Sequence, residues 1–213
     1  RPVHMSRGRF IALEGGEGAG KSTQAHLLAE TLRARGHQVV TTREPGGTPG
    51  AEAIRALLLS VEGEGFHPRA EALLFAAARS DHVERLIAPA LAEGTWVICD
   101  RFIDSSRAYQ GGGGGLDDAE VMGLHAIGSL GLLPDLTMLI EVSAPEATRR
   151  LALRDGDQAD RIGGRGEAHH ARVACAFAPL AEAEPGRFAR IDGNAGPDEV
   201  HASILAALPD AWP

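Results

Sequence analysis

A chain of 213 residues with 44% hydrophobic content can bury one sizeable core and reads as a single domain. Its formal net charge of -8 lacks the positive field needed to wrap nucleic acid or lie on an anionic membrane, so neither is an expected partner. No apolar run approaches the roughly 18 to 20 residues of a membrane span, no signal peptide opens the chain, and Cys99 and Cys175 have neither metal-ligand nor disulfide spacing, so a cytoplasmic protein with two structural cysteines is expected.

Arg1 to His4 precede Met5 and are set aside as an expected remnant of expression, leaving 5–213 as the domain. Phe10 to Leu13 form a short apolar run that ends in Glu14-Gly15-Gly16, the pattern of a buried strand entering a glycine turn. Ala25, Leu28 and Leu32 recur at helical spacing between Ser22 and Arg35, and Gly36 suits the helix end. A strand beginning at Val39-Val40 follows, then helices over Ala51 to Leu59 and Arg69 to Glu93, then a buried strand, Trp96 to Cys99, carrying Asp100 and Arg101 at its end. Further on the pattern predicts a helix over Ala119 to Leu130, a strand over Leu136 to Val142 and a helix from Glu146 to Arg154 opened by Pro145. After a Gly/Asp/Arg-rich stretch, 155–166, come another helix, a short strand at Phe188 to Ile191 and a closing helix over Asp198 to Leu208. Such alternation predicts an α/β fold, a mainly parallel sheet covered on both faces, with ligands at the carboxyl ends of the strands.

Gly15-Gly16-Glu17-Gly18-Ala19-Gly20-Lys21-Ser22 satisfies G-x-x-x-x-G-K-[ST] between a predicted strand and a predicted helix, the context in which that loop cradles phosphates. Backbone N–H groups and the helix N-terminus favour the anion, Lys21 is expected to reach the β and γ phosphates, and Ser22 offers a hydroxyl to Mg²⁺. Lys21 is the chain's only lysine; every other basic side chain except histidine is arginine, so a compact ammonium survives at the one position where a point charge suits phosphate. Asp100 stands where such folds place a carboxylate near the metal, though an aspartate there also suits a helix cap. The loop by itself fits kinases, switch GTPases and ATP-driven motors alike.

Four segments narrow that choice: Glu14 to Thr23; Thr42-Arg43-Glu44-Pro45-Gly46-Gly47-Thr48; Phe75-Ala76-Ala77-Ala78-Arg79-Ser80-Asp81-His82; and Asp100-Arg101-Phe102-Ile103-Asp104-Ser105-Ser106-Arg107-Ala108-Tyr109-Gln110-Gly111. In this order and spacing they resemble the thymidylate kinase family of P-loop nucleoside monophosphate kinases. The resemblance implies a three-layer P-loop NTPase fold with a five-stranded sheet and a short lid over about 154–167. It also implies transfer of the γ-phosphoryl of ATP to dTMP for dTTP synthesis, with Mg²⁺, in a homodimer whose candidate face is the helix from Arg69. Gly15 to Thr23 would hold ATP, with Arg150 against the adenine. Arg43 and Arg101 match positions that hold the acceptor's 5′-phosphate, Phe75 the one stacked on thymine, and Arg79 the one bonded to a base carbonyl. Pro45, Ser106, Tyr109 and Gln110 fall on the acceptor pocket, and Glu17 near the sugar 3′-hydroxyl.

Glycines and alanine around Glu17 leave no arginine inside the loop, so the chain resembles the branch that supplies its catalytic arginine from the lid, with Arg154 and Arg161 as candidates and Arg165 third. Gly114 stands where relatives often carry arginine, and Gly163-Gly164 and His169-His170 replace an acidic residue and an aromatic pair. Adjacent helical histidines point about 100° apart and do not share one ion readily, so both are expected in solvent. The competing functions are a kinase for another monophosphate, an ATPase or GTPase acting as switch or motor, and a kinase whose lid changes have cost it turnover.

Overall fold

The computed structural model describes residues 7–155 and 160–212; the side chains of Arg154 and Asp155 lie outside that description, as do residues 1–6, 156–159 and 213. Five strands, β1 (Phe10–Glu14), β2 (Val39–Arg43), β3 (Trp96–Asp100), β4 (Leu136–Glu141) and β5 (Phe188–Asp192), form one parallel sheet in the order β2-β3-β1-β4-β5. The helices are α1 (Lys21–Ala34), α2 (Pro49–Leu59), α3 (Pro68–His82), α4 (Ala88–Ala92), α5 (Ile103–Ser106), α6 (Asp118–Ser129), α7 (Ala144–Asp155), α8 (Glu167–Ala183) and α9 (Pro197–Ala206). The anticipated α/β architecture is present.

Strand alternation divides the core. Ile11 and Leu13 of β1 pack with Leu28 and Leu32 of α1 and Ile204 of α9, while Phe10 and Ala12 turn to Ile87, Leu91, Phe102 and Val121 on the other face. Burying both faces explains why β1, β3 and β4 read as continuous apolar runs. Because β1 lies between β3 and β4, the chain leaving it enters the crevice where strand order reverses, which is where open α/β sheets take their ligands.

The single helix expected over Arg69 to Glu93 is instead α3, a π turn (Val83–Ile87) and α4. Pro89 has no N–H to return to the preceding turn, and the register widens ahead of it, with Ala88 N–H bonding Val83 O. A second π turn, Arg107–Gly113, follows α5, and α8 lies directly on it. Gly112 and Gly113 make that approach possible: a Cβ on either would stand 2.4 Å from Ala176 Cβ or 2.6 Å from His169 Cε1.

Candidate active site

At the end of β1 the chain turns sharply at Gly15, whose φ of 141° and 2.3 Å clearance between a notional Cβ and Ile140 O admit no side chain. Lys21, buried in the first turn of α1, donates through Nζ to Gly15 O at 3.2 Å and Gly16 O at 2.8 Å. Burial, and then the neighbouring Arg101 cation, push its ammonium down to about 8. Ser22 Oγ donates to Asp100 Oδ2 across the mouth of the loop. A hydroxyl and a carboxylate facing each other beside a phosphate loop are hard oxygen donors, and Mg²⁺ fits them because it retains waters and phosphate oxygens instead of needing a full protein cage. Among the described residues no cluster of three or more His, Cys, Asp or Glu offers such a cage.

Arg101 follows β3 with φ 70°, a left-handed conformation that costs a non-glycine residue on the order of 1 kcal/mol. The turn is held by Arg101 N–H on Leu13 O and by Cys99 Sγ on Arg101 O. It sends the guanidinium back over the loop, to Gly15 O at 3.1 Å, Ser105 Oγ at 3.2 Å and Glu17 Oε1 at 2.6 Å, above the Tyr109 ring at 5.0 Å. Tyr109 O–H donates to the same Glu17 oxygen at 3.0 Å, and burial raises its pKa, which keeps it a donor. Behind them Glu14 accepts from Phe102 N–H, Ser105 N–H and Ser105 Oγ; burial, then the charge of Asp104, push its carboxyl up to about 7.

A cavity of about 510 Å³ runs from this loop to α3. Of the residues singled out in the sequence it brings together Glu17, Gly18, Gly20, Lys21, Ser22, Thr23, Arg43, Pro45, Phe75, Arg79, Asp100, Arg101, Ser106, Tyr109, Gln110 and Arg150. Arg79 is 3% exposed; its Nε donates to Glu44 Oε2 at 2.7 Å and its Nη2 to Ser106 Oγ at 2.8 Å. Phe75 forms a half-buried wall. Arg43, at the rim, bonds both Glu52 oxygens, and Gln110 donates to Glu71. An adjoining cleft on the other side of the loop is lined by Ala19, Thr23, Asn194, Ala195 and Arg150. There Arg150 is fixed by Glu146, by Gly193 O at 2.7 Å and by Ala195 O at 3.3 Å.

The lid candidates divide. Arg154's side chain falls outside the described residues. Arg161 does not line the cavity: it donates to Ser60 O, Glu62 O and Gly63 O, and its backbone N–H reaches Leu59 O. Ser60 caps the end of α2 and Glu62 and Gly63 follow it, so these carbonyls have no helical partners and a guanidinium satisfies them. Arg165 pairs with buried Glu71 on α3. The histidines expected in solvent are half-buried. His170 Nε2 meets Gly163 O at 3.1 Å, and His169 lies against Gly113 with its ring 6.2 Å from that of Tyr109. The side-chain-free Gly112-Gly113 surface leaves room for His169.

Sequence reasoning passed over Arg55, a half-buried cation that lines the cavity and donates to Pro45 O at 2.7 Å. Its signal was available: Ala51, Arg55 and Leu58 fall on one stripe of α2, and Ala51 and Leu58 are buried, so the arginine points inward. Glu44 and His82 were passed over as well. Both lie in quoted motifs, yet what they bond is distant in sequence.

Comparison with known proteins agrees with this geometry. The family model for thymidylate kinase matches residues 13–204. Thymidylate kinase of Rhizorhabdus wittichii is 55% identical, over 97% of this chain and 99% of the relative; that of Gluconobacter oxydans is 51% identical, over 95% and 94%. The crystal structure of thymidylate kinase from Ehrlichia chaffeensis superposes with a TM-score of 0.78 at 34% identity, covering 95% of this chain and all of that one. With the family model and these relatives matching over nearly the whole chain, the chain belongs to the thymidylate kinase family.

Proposed function

We infer that this chain, which as a member of its family transfers the γ-phosphoryl group of ATP to dTMP and releases ADP and dTDP, divides that reaction between the two ends of its cavity. The observation that carries the reading is the opening of a phosphate loop and a stacking, arginine-lined pocket into one space. The loop from Gly15 to Thr23 takes the triphosphate, with Lys21 on the β and γ phosphates and Arg150 beside the adenine in the adjoining cleft. Phe75 stacks on thymine, Arg79 donates to a base carbonyl, and Pro45, Ser106 and Gln110 complete the wall. Glu17 lies toward the sugar, packed with Tyr109. Arg43 and Arg101 bind the acceptor's 5′-phosphate, and Arg55 joins them as a third cation.

Little covalent work falls to the protein in phosphoryl transfer, so rate comes from alignment and from charge placed where it develops. Lys21 and Arg101 do this from the fixed floor. Arg154 does it from the lid, whose closure excludes water, and Arg161 joins it only on leaving the carbonyls past α2. Ser22 and Asp100 would hold Mg²⁺, which would supply positive charge against the negative charge of the phosphates. Among the described residues no helix is long and apolar enough to cross a membrane, and we place the reaction in the cytoplasm. The homodimer is assigned to α2, α3 and α6, where Leu57, Leu73, Ile127 and Leu130 are 56%, 57%, 83% and 91% exposed.

A coupled ADP-release assay with ATP and Mg²⁺ tests the acceptor assignment by comparing dTMP, dUMP, dCMP, AMP, GMP and no acceptor, with dTDP identified by chromatography. Preference for dTMP is expected. Preference for another monophosphate would discard the pocket assignment and leave the phosphate-loop chemistry standing.

A further inference from the structure

Beneath the acceptor pocket lies a buried chain of hydrogen bonds that touches no part of the phosphate loop. Glu44 is 4% exposed and uses a different oxygen on each side: Oε2 accepts from Arg79 Nε at 2.7 Å, and Oε1 faces His82 Nδ1 at 3.0 Å. A carboxylate only accepts, so Nδ1 carries the proton and the tautomer is set. His82, fully buried, continues through Nε2 to Thr42 Oγ1 at 2.7 Å. The next loop is shaped to this bond. Gly47 has φ 91°, and a Cβ there would stand 2.5 Å from both His82 Nε2 and Thr42 Oγ1.

On its other side Arg79 is fixed by Ser106 Oγ, by Phe102 O at 3.4 Å and by the Phe102 ring, 5.4 Å from Cζ to centroid. Nε and Nη2 are therefore taken up, while among the described residues Nη1 makes no hydrogen bond. One edge of a cavity-lining guanidinium is left for a ligand, and its angle is set by Glu44.

We propose that His82 is a positioning residue for acceptor-base selection, acting through Glu44 to hold Arg79 at the angle where Nη1 meets a pyrimidine carbonyl. The proposal rests on the reading of Arg79 as the base-contacting arginine. An arginine edge only donates, so held in place it donates to the carbonyl of thymine or uracil and opposes the amino group that cytosine presents at the same position. Let loose to swing, it discriminates less. His82 thus bears on the choice between dTMP and dCMP, not on phosphoryl transfer itself.

The test measures kcat and KM for dTMP and dCMP, and KM for ATP, in the parent, His82→Leu, His82→Asn, Thr42→Val and Arg79→Met. The ratio of kcat/KM values for the two acceptors does not depend on the fraction of folded enzyme, so a purely structural loss leaves it unmoved. For His82→Leu the dTMP:dCMP ratio is expected to fall roughly tenfold, mostly through KM for dTMP. KM for ATP should stay within about twofold. His82→Asn, whose amide nitrogen can stand in for Nδ1, should keep most of the selectivity. Thr42→Val, which preserves shape, should lose about threefold and keeps the test open if His82→Leu does not fold. Should Arg79→Met collapse the ratio while His82→Leu and Thr42→Val keep it, Arg79 reads the base without help from His82 and the proposal is wrong. Should Arg79→Met itself keep the ratio, the reading of Arg79 fails and takes the proposal with it.

Discussion

Arg79 on the acceptor side and Arg161 in the lid are both held by the protein, but by different kinds of partner. Arg79 meets a carboxylate in a place where the two side chains are 3% and 4% exposed, and that carboxylate is braced in turn by His82. Arg161 meets neutral carbonyl oxygens at the end of α2, two of its three bonds in exposed surroundings. Withdrawing the first cation strands a buried charge, whereas water replaces the second at little cost. Arg79 is therefore built to stay and Arg161 to be released at small cost, so arginine pairing alone does not mark rigidity. What lies opposite the arginine does.

Several substitutions would break or sharpen that contrast. Lys21→Ala, in the fixed floor, should lower kcat by at least about 10³-fold with the fold intact, measured by steady-state kinetics beside circular dichroism. Glu44→Ala should destabilise the protein by about 3 kcal/mol in denaturant unfolding, because it leaves the buried Arg79 charge without its partner. Arg154→Ala should reduce kcat about 10²-fold and change KM for dTMP only a few-fold, as expected of a group that acts mainly in the transition state. A raised KM for dTMP with kcat unchanged would place Arg154 in ground-state binding.

A pH series separates floor from lid, since arginine does not titrate in the working range and Lys21 does. With the free ammonium at about 8, kcat/KM for ATP should be flat below that pH and fall about tenfold per unit above it. Bound phosphates favour the cation, so the corresponding limb in kcat should lie at higher pH. The smallest effect belongs to the lid clasp: Arg161→Ala should cost less than about 1 kcal/mol of stability. A loss as large as that of Glu44→Ala would erase the distinction drawn here.

The sheet was legible in the sequence because β1, β3 and β4 are local runs of apolar residues, and the phosphate loop because its eight positions are consecutive. Phe75, Arg79 and Tyr109 were placed through motif resemblance; nothing in their own spacing announces a pocket. The bracing of Arg79 was not legible, since Glu44 and His82 are separated by 38 positions and lie in two different motifs. The lid clasp was missed for the same reason: Arg161 reaches residues about 100 positions earlier. Gly112-Gly113 carried no signal of its own beside the missing arginine, but it is the bed on which α8 rests, with His169 against it.

The lone lysine has a practical consequence. Only one side chain in this protein is a primary amine, and that amine lies 6% exposed at the centre of the phosphate loop with an affinity for protons low enough to leave it partly neutral near pH 8. A reagent that acylates neutral amines has this single side chain to find, and a bound nucleotide shields it. Labelling through lysine, harmless where the residue is scattered over a surface, would here either silence the enzyme or mark no side chain at all, and the rate of the reaction would itself be a gauge of how fully the loop is covered.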